Sequence, residues 1–184
     1  MIRLLLALHL VLLSASLAAE QVNESLETEV KATFLFQFSR YVDWPAPSSG
    51  RGNNAQFKVC TLAGSTFNEA VDRALQGERA ADRPMIRVTP ANLSEARACQ
   101  ILYVSVGDRA KGQPLVESLK NVAMLTVSDA PDFFQWGGQI RLLRDDSRVR
   151  FDVNLPAARE AGITLRSQLL RVARKVIRQP VARP

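Results

Sequence analysis

Strand-length runs of aliphatic residues, each followed by a helical pattern, constrain this chain more than any other feature. FKVCTLA (Phe57 to Ala63) reads as a buried strand, followed by a helix from an N-cap at Ser65 through Leu75, which Gly77 ends. Met85 to Thr89 reads as a second strand and Leu93 to Ala98 as a short helix. QILYVSV (Gln100 to Val106) is a third strand, Pro114 to Leu119 a helix, and VAMLTV (Val122 to Val127) a fourth strand. This alternation predicts βαβ units around a mainly parallel sheet. The rhythm then changes. Gln139 to Leu143 and Val149 to Val153 read as two strands joined by the polar turn Arg144 to Ser147, an antiparallel pair at one edge. The expected fold is therefore α/β, a three-layer sandwich whose mixed, mainly parallel sheet of about five or six strands is flanked by helices.

The flanking segments are helical in pattern. Glu24 to Val42 repeats Val30, Phe34, Phe38, Tyr41 and Val42 at helical spacing, and Trp44-Pro45 closes it. Ala46 to Asn54 is rich in Pro, Ser, Gly and Asn and reads as a surface loop. After the sheet come a short helix, Pro156 to Ala161, and a longer one, Leu165 to Ile177, with Leu169, Leu170, Val172, Ala173, Val176 and Ile177 as its apolar face. At 184 residues and 47% hydrophobic content the chain can bury a core without metals, so disorder is excluded as its dominant state.

The first residues have the form of a secretory signal. Arg3 precedes an apolar run from Leu4 to Leu13, then small residues from Ser14 to Ala19. The run is shorter than the roughly 20 residues of a membrane-spanning helix, so a cleavable leader (residues 1–18) is favoured over an anchor. Residues 19–184 then form a single domain, exported to the periplasm. Removing the leader takes away the only histidine, His9. Histidine-based triads and histidine-ligated zinc are thereby excluded. It also removes Arg3 and no acid, leaving 23 basic against 18 acidic residues.

Two cysteines remain, Cys60 and Cys99. In an exported protein they imply one disulfide, read as a structural staple; a redox switch would need an exposed or strained bond. The bridge requires strands one and three to be neighbours, as in flavodoxin-like order.

The chain lacks G-x-G-x-x-G, a Walker A loop, G-x-S-x-G, C-x-x-C and H-E-x-x-H. Gly64-Ser65, after a strand and before a helix, could cradle an anion, but an ordinary strand–helix turn is the simpler reading. Asp129, Asp132, Asp145 and Asp146 fall in turns, where Asp is favoured locally, so no carboxylate pair or metal site is assigned. The C-terminal segment carries Arg159, Arg166, Arg171, Arg174, Lys175, Arg178 and Arg183 against Glu160. Export argues against nucleic acid. A solvated face, an acidic partner and an anionic membrane surface remain. In SDAPDFFQWGG, Phe133, Phe134 and Trp136 stand among turn residues. They either fold under the loop as a satellite core or form an exposed contact patch; the second option makes them the candidate partner-binding residues.

In order along the chain, KATFLFQFSRYVDWP, FKVCTLAG, ACQILYVS, LTVSDAPDFFQWGGQI and RVRFDVNLPAAREAGITLRSQLLRVARKV resemble the YfiR/HmsC-like periplasmic proteins. The resemblance implies a non-enzymatic regulator that needs no cofactor. Such a protein binds the periplasmic part of an inner-membrane diguanylate cyclase, holds it inactive, and so lowers cyclic di-GMP and biofilm output. An OmpA-like outer-membrane lipoprotein can sequester regulators of this kind, and they tend to be homodimers. The family disulfide matches Cys60 and Cys99, whereas the second cysteine pair of some members is missing around the aromatic loop. The alternative reading is a periplasmic small-ligand-binding sensor, with its ligand at the strand ends.

Overall fold

The computed structural model describes residues 22–45 and 56–181. The expected leader, the expected loop from Ala46 to Asn54 and Arg183 lie outside the described residues.

Helix α1 covers 22–39, ending before the expected boundary at Val42. Residues Val42–Asp43 instead form a short strand, β1, that pairs antiparallel with Thr164–Leu165, and the Arg166 N–H donates to the Tyr41 carbonyl at 2.9 Å. A β-branched residue with a strand partner available leaves the helix early.

The central sheet begins with β2 (Phe57–Leu62), followed by α2 (Ser65–Leu75), β3 (Arg79–Ala80), β4 (Arg83–Val88), α3 (Leu93–Arg97), β5 (Ile101–Val104), α4 (Arg109–Ser118) and β6 (Leu125–Ser128). Gly64, not Ser65, takes the N-cap position of α2. After a one-turn 3₁₀ segment at Phe133–Trp136 come β7 (Ile140–Asp145), β8 (Arg148–Asn154), α5 (Leu155–Glu160), β9 (Thr164–Leu165), α6 (Ser167–Val172) and β10 (Lys175–Ile177).

Among the described residues the main sheet has eight strands in the order β10-β8-β7-β6-β5-β2-β4-β3. The run β4-β2-β5-β6-β7 is parallel throughout. Sequence order within that run is flavodoxin-like, because the first core strand lies between the second and the third. The count exceeds the expected five or six because short edge strands, β3 of 2 residues and β10 of 3, extend it on both sides.

Two expectations need correction. The β7–β8 hairpin is antiparallel as expected, with Asp145 opposite Arg148 across a turn at Asp146-Ser147, but it is not the edge. Strand β10 adds outside β8 in parallel register. The long helix expected over Leu165 to Ile177 is therefore broken into β9, α6 and β10. The open edge of β8 supplies ladder hydrogen bonds, Arg174 N–H donates to the Phe151 carbonyl at 2.9 Å, and Val176 and Ile177 suit a strand better than a helix.

Strand alternation divides the core into two. Val59, Ile101, Tyr103, Leu125 and Val127 join α1 and α2 residues such as Leu35, Phe38 and Val71. Cys60, Leu102 and Val104 face Ala96 of α3, Val116 of α4 and the 3₁₀ turn. This makes three layers, helices on both sides of a mixed sheet.

Candidate functional site

The two cysteines meet because β2 and β5 are adjacent. Val59 pairs with Ile101 and Cys60 with Leu102, so Cys99, just ahead of β5, comes within 5.9 Å (Cα to Cα) of Cys60. They are disulfide-bonded and both side chains are buried. A bond inside the second core is shielded from thiols, which fits a staple better than an exposed switch.

Of the two readings of Phe133, Phe134 and Trp136, the structure has the satellite core beneath the loop and not the exposed patch. They are 0%, 8% and 1% exposed and pack within the same core as the disulfide. Phe133 and Trp136 stack edge to face at 5.4 Å, while Arg109 lies over Trp136 and Arg141 over Phe134. The reason is topological. The segment connects two parallel neighbours, β6 and β7, so it must cross over a sheet face and cover it. Gly137, at φ +87°, closes the 3₁₀ turn, and Gly138 lies so close to the Phe133 ring that no β-carbon fits.

Two charged constellations escaped the sequence reading. On β8, Asp152 has a fully buried side chain. Arg141, its cross-strand partner on β7, donates to it at 2.8 Å, and Arg174 donates two bonds at 2.9 and 2.6 Å. Burial by itself pushes the Asp152 carboxyl up; the bonds from Arg174 and Arg141 outweigh it and hold the group below the usual carboxylate range. Only the pairing of three strands brings these residues together.

The second cluster lies at the C-terminal ends of β5 and β6. Asp129 accepts from the Val106 N–H at 2.8 Å and from the Lys31 ammonium at 3.1 Å, and its charge acts on the buried Tyr103 hydroxyl. Lys31 also pairs with Glu27 at 2.8 Å along α1. Tyr103 stacks on Phe67 at 4.2 Å between centroids; burial, reinforced by the negative charge of Asp129, raises its hydroxyl pKa well above that of a free phenol. Doubly wound sheets place ligands outside such strand ends. Here α1 lays Lys31 across that position.

The four aspartates singled out in turns do not form one group. Asp129 belongs to the strand-end cluster, Asp132 pairs with Arg109 at 2.5 Å, and Asp145 and Asp146 sit at the hairpin tip. Among the described residues no set of three His, Cys, Asp or Glu side chains is placed to hold a metal ion. The basic C-terminal residues also separate by role. Arg166 chelates Asp43 at 2.9 and 2.6 Å and Arg174 holds Asp152, whereas Arg159, Arg171, Lys175 and Arg178 are exposed. Among the described residues no helix is long and apolar enough to cross a membrane.

A family model described as YfiR/HmsC-like matches residues 28–174, a stretch running from α1 through Arg174. No curated protein matches. Among solved structures, the chain is similar to an ABC domain in complex with L-Trp from Streptococcus pneumoniae, at 15% identity and TM-score 0.47, over 66% of this chain and 55% of that one. It is also similar to a conserved domain protein from Vibrio cholerae, at 12% identity and TM-score 0.45, over 66% and 54%. The chain thus spans about half the length of each of these structures.

Proposed function

Since this chain belongs to the YfiR/HmsC-like family, we propose that it is a periplasmic regulator that works by binding another protein. The observation carrying this reading is the family match over 28–174, which takes in both cores and the disulfide. The partner is the periplasmic domain of an inner-membrane diguanylate cyclase, held in its inactive state, with cyclic di-GMP and biofilm output lowered as a result. An OmpA-like outer-membrane lipoprotein competes for the regulator, and the regulator itself is a homodimer delivered by a cleavable leader.

Inhibition by binding is an equilibrium argument. The regulator shifts the cyclase only by its difference in affinity for the two states, and driving a 1:99 population to 99:1 takes a difference of about 10⁴-fold. The exposed cations Arg171, Lys175 and Arg178 favour an acidic partner surface.

Deleting the gene tests the reading. Cellular cyclic di-GMP is expected to rise, and to fall again when the exported protein is restored. Unchanged cyclic di-GMP in a strain whose cyclase is intact overturns it.

A further inference from the structure

Helix α1 is attached to the body in two different ways. From Ala32 onward it is anchored by packing: Ala32, Leu35, Phe36 and Phe38 are buried, and the Phe38 ring meets those of Phe34 and Phe151 at 5.5 and 5.2 Å. Before Ala32 no residue of the helix is buried. That stretch, 22–31, is tied down by charge. Among the described residues it reaches three other parts of the fold through ion pairs: Glu27 to Arg144 on β7 at 3.5 Å, Glu29 to Arg73 on α2 at 2.5 Å, and Lys31 to Asp129, just beyond β6, at 3.1 Å. The hydroxyls of Thr28 and Thr33 donate back to the carbonyls of Glu24 and Glu29, at 3.0 and 2.9 Å. Bonds of this kind compete with the helical ladder and weaken it slightly.

The charge-held stretch lies over the strand-end cluster. Lys31 closes on Asp129, and Tyr103 behind them is 1% exposed, its hydroxyl within reach of the charges on Asp129 and Glu27. Lifting 22–31 would therefore open the strand ends while giving up no fully buried side chain of the helix.

We infer that residues 22–31 form a strap, fastened by these three ion pairs, which opens when other charges compete for them and bares Asp129 and Tyr103 at the ends of β6 and β5. Isolated helices shorter than about 12–15 residues are marginal in water. A released strap of this length therefore unwinds, and its amides lose their protection. Packing from Ala32 onward keeps the rest of α1 in place. The strap thus gates the crevice outside the strand ends, where doubly wound sheets seat their ligands. A charged surface or ligand supplies the competing groups. Gating of this kind needs no particular partner, so it stands or falls apart from the cyclase reading.

Amide hydrogen exchange of the processed protein, read residue by residue by NMR at 0.1 and 1 M NaCl, provides the test. The screening length falls from about 10 Å to about 3 Å between these salts. Each exposed pair is worth roughly 1.5- to fivefold in the closed population, so the amides of 27–31 are expected to exchange about tenfold faster at 1 M, with those of 35–38 unchanged. Lys31→Met should exchange fast already at 0.1 M and respond less to salt. Glu29→Arg or Arg73→Glu alone should speed exchange of 27–31, and the two together should restore protection. Nitration of Tyr103 by tetranitromethane, mapped by mass spectrometry, should follow the same order. Exchange at 27–31 that ignores salt, an equal response at 35–38, or a Tyr103 that stays unreactive while 27–31 exchange faster overturns the strap, as does a charge swap that fails to restore protection.

Discussion

Asp152 shows how much one residue can depend on its neighbours. Its carboxylate is out of water, and among the described residues Arg141 and Arg174 compensate it. Removing Arg174 leaves that charge half-paired. Breaking a fully buried pair costs roughly 3–5 kcal/mol, and since both guanidinium groups here are partly exposed, Arg174→Ala should cost on the order of 2 kcal/mol in urea denaturation. The same residue predicts an acid dependence. Its folded pKa is depressed, so its contribution is complete above the unfolded value of about 3.9 and is lost as pH falls through the lower folded value. Stability measured below pH 4 should therefore fall less steeply in Asp152→Asn than in the wild type, from a lower starting point. In sequence, Asp152 is one acid among the alternating residues of a strand, and the spacing to Arg174 carries no signal. The buried amides of Gln100 and Gln139 were equally silent: each precedes a strand and accepts from a neighbouring strand, from Lys58 N–H at 2.8 Å and Thr126 N–H at 3.1 Å.

At the scale of elements, the aromatic turn and the C-terminal segment are informative. Residues 133–138 tuck three rings beneath a crossover, and the tuck depends on Gly138. In Gly138→Ala the β-carbon meets the Phe133 ring, which is enclosed by core and cannot swing away. Overpacking of this kind costs about 1–3 kcal/mol, read as a lower denaturation midpoint with native-like circular dichroism. Composition announced the cluster but not its direction, because aromatic residues among turn formers suit a satellite core and a contact patch alike. The crossover between parallel strands decided it. The segment after Leu165 failed as a helix for a related reason. Its apolar spacing is helical, but the unpaired edge of β8 was available, and β10 took it.

For the whole molecule, the disulfide ties the first core strand to the third across 39 residues of chain. In the chain-entropy description such a link stabilises by about 4 kcal/mol. Replacing both cysteines by Ser should lower unfolding free energy by up to that amount and reduce the yield of folded protein; equal melting temperatures with and without reductant would count against the staple. The excess of basic residues makes a second prediction. If the proposed partner is a cyclase periplasmic domain, binding to it should weaken as ionic strength rises, measured by titration calorimetry at low and high salt. By itself the sequence determined the α/β class, the parallel core, the hairpin, the disulfide partners and the family, since all of these follow from local periodicity, turn chemistry and ordered motifs. Only the tertiary structure decided which aromatic rings face inward, which arginines meet Asp152, and that α1 closes the strand ends with Lys31 while leaving Val22, Leu26 and Val30 in water. Those outcomes depend on distant strands becoming neighbours, and the free energy of a buried charge or ring is set by the side chains that surround it, not by those beside it in the chain.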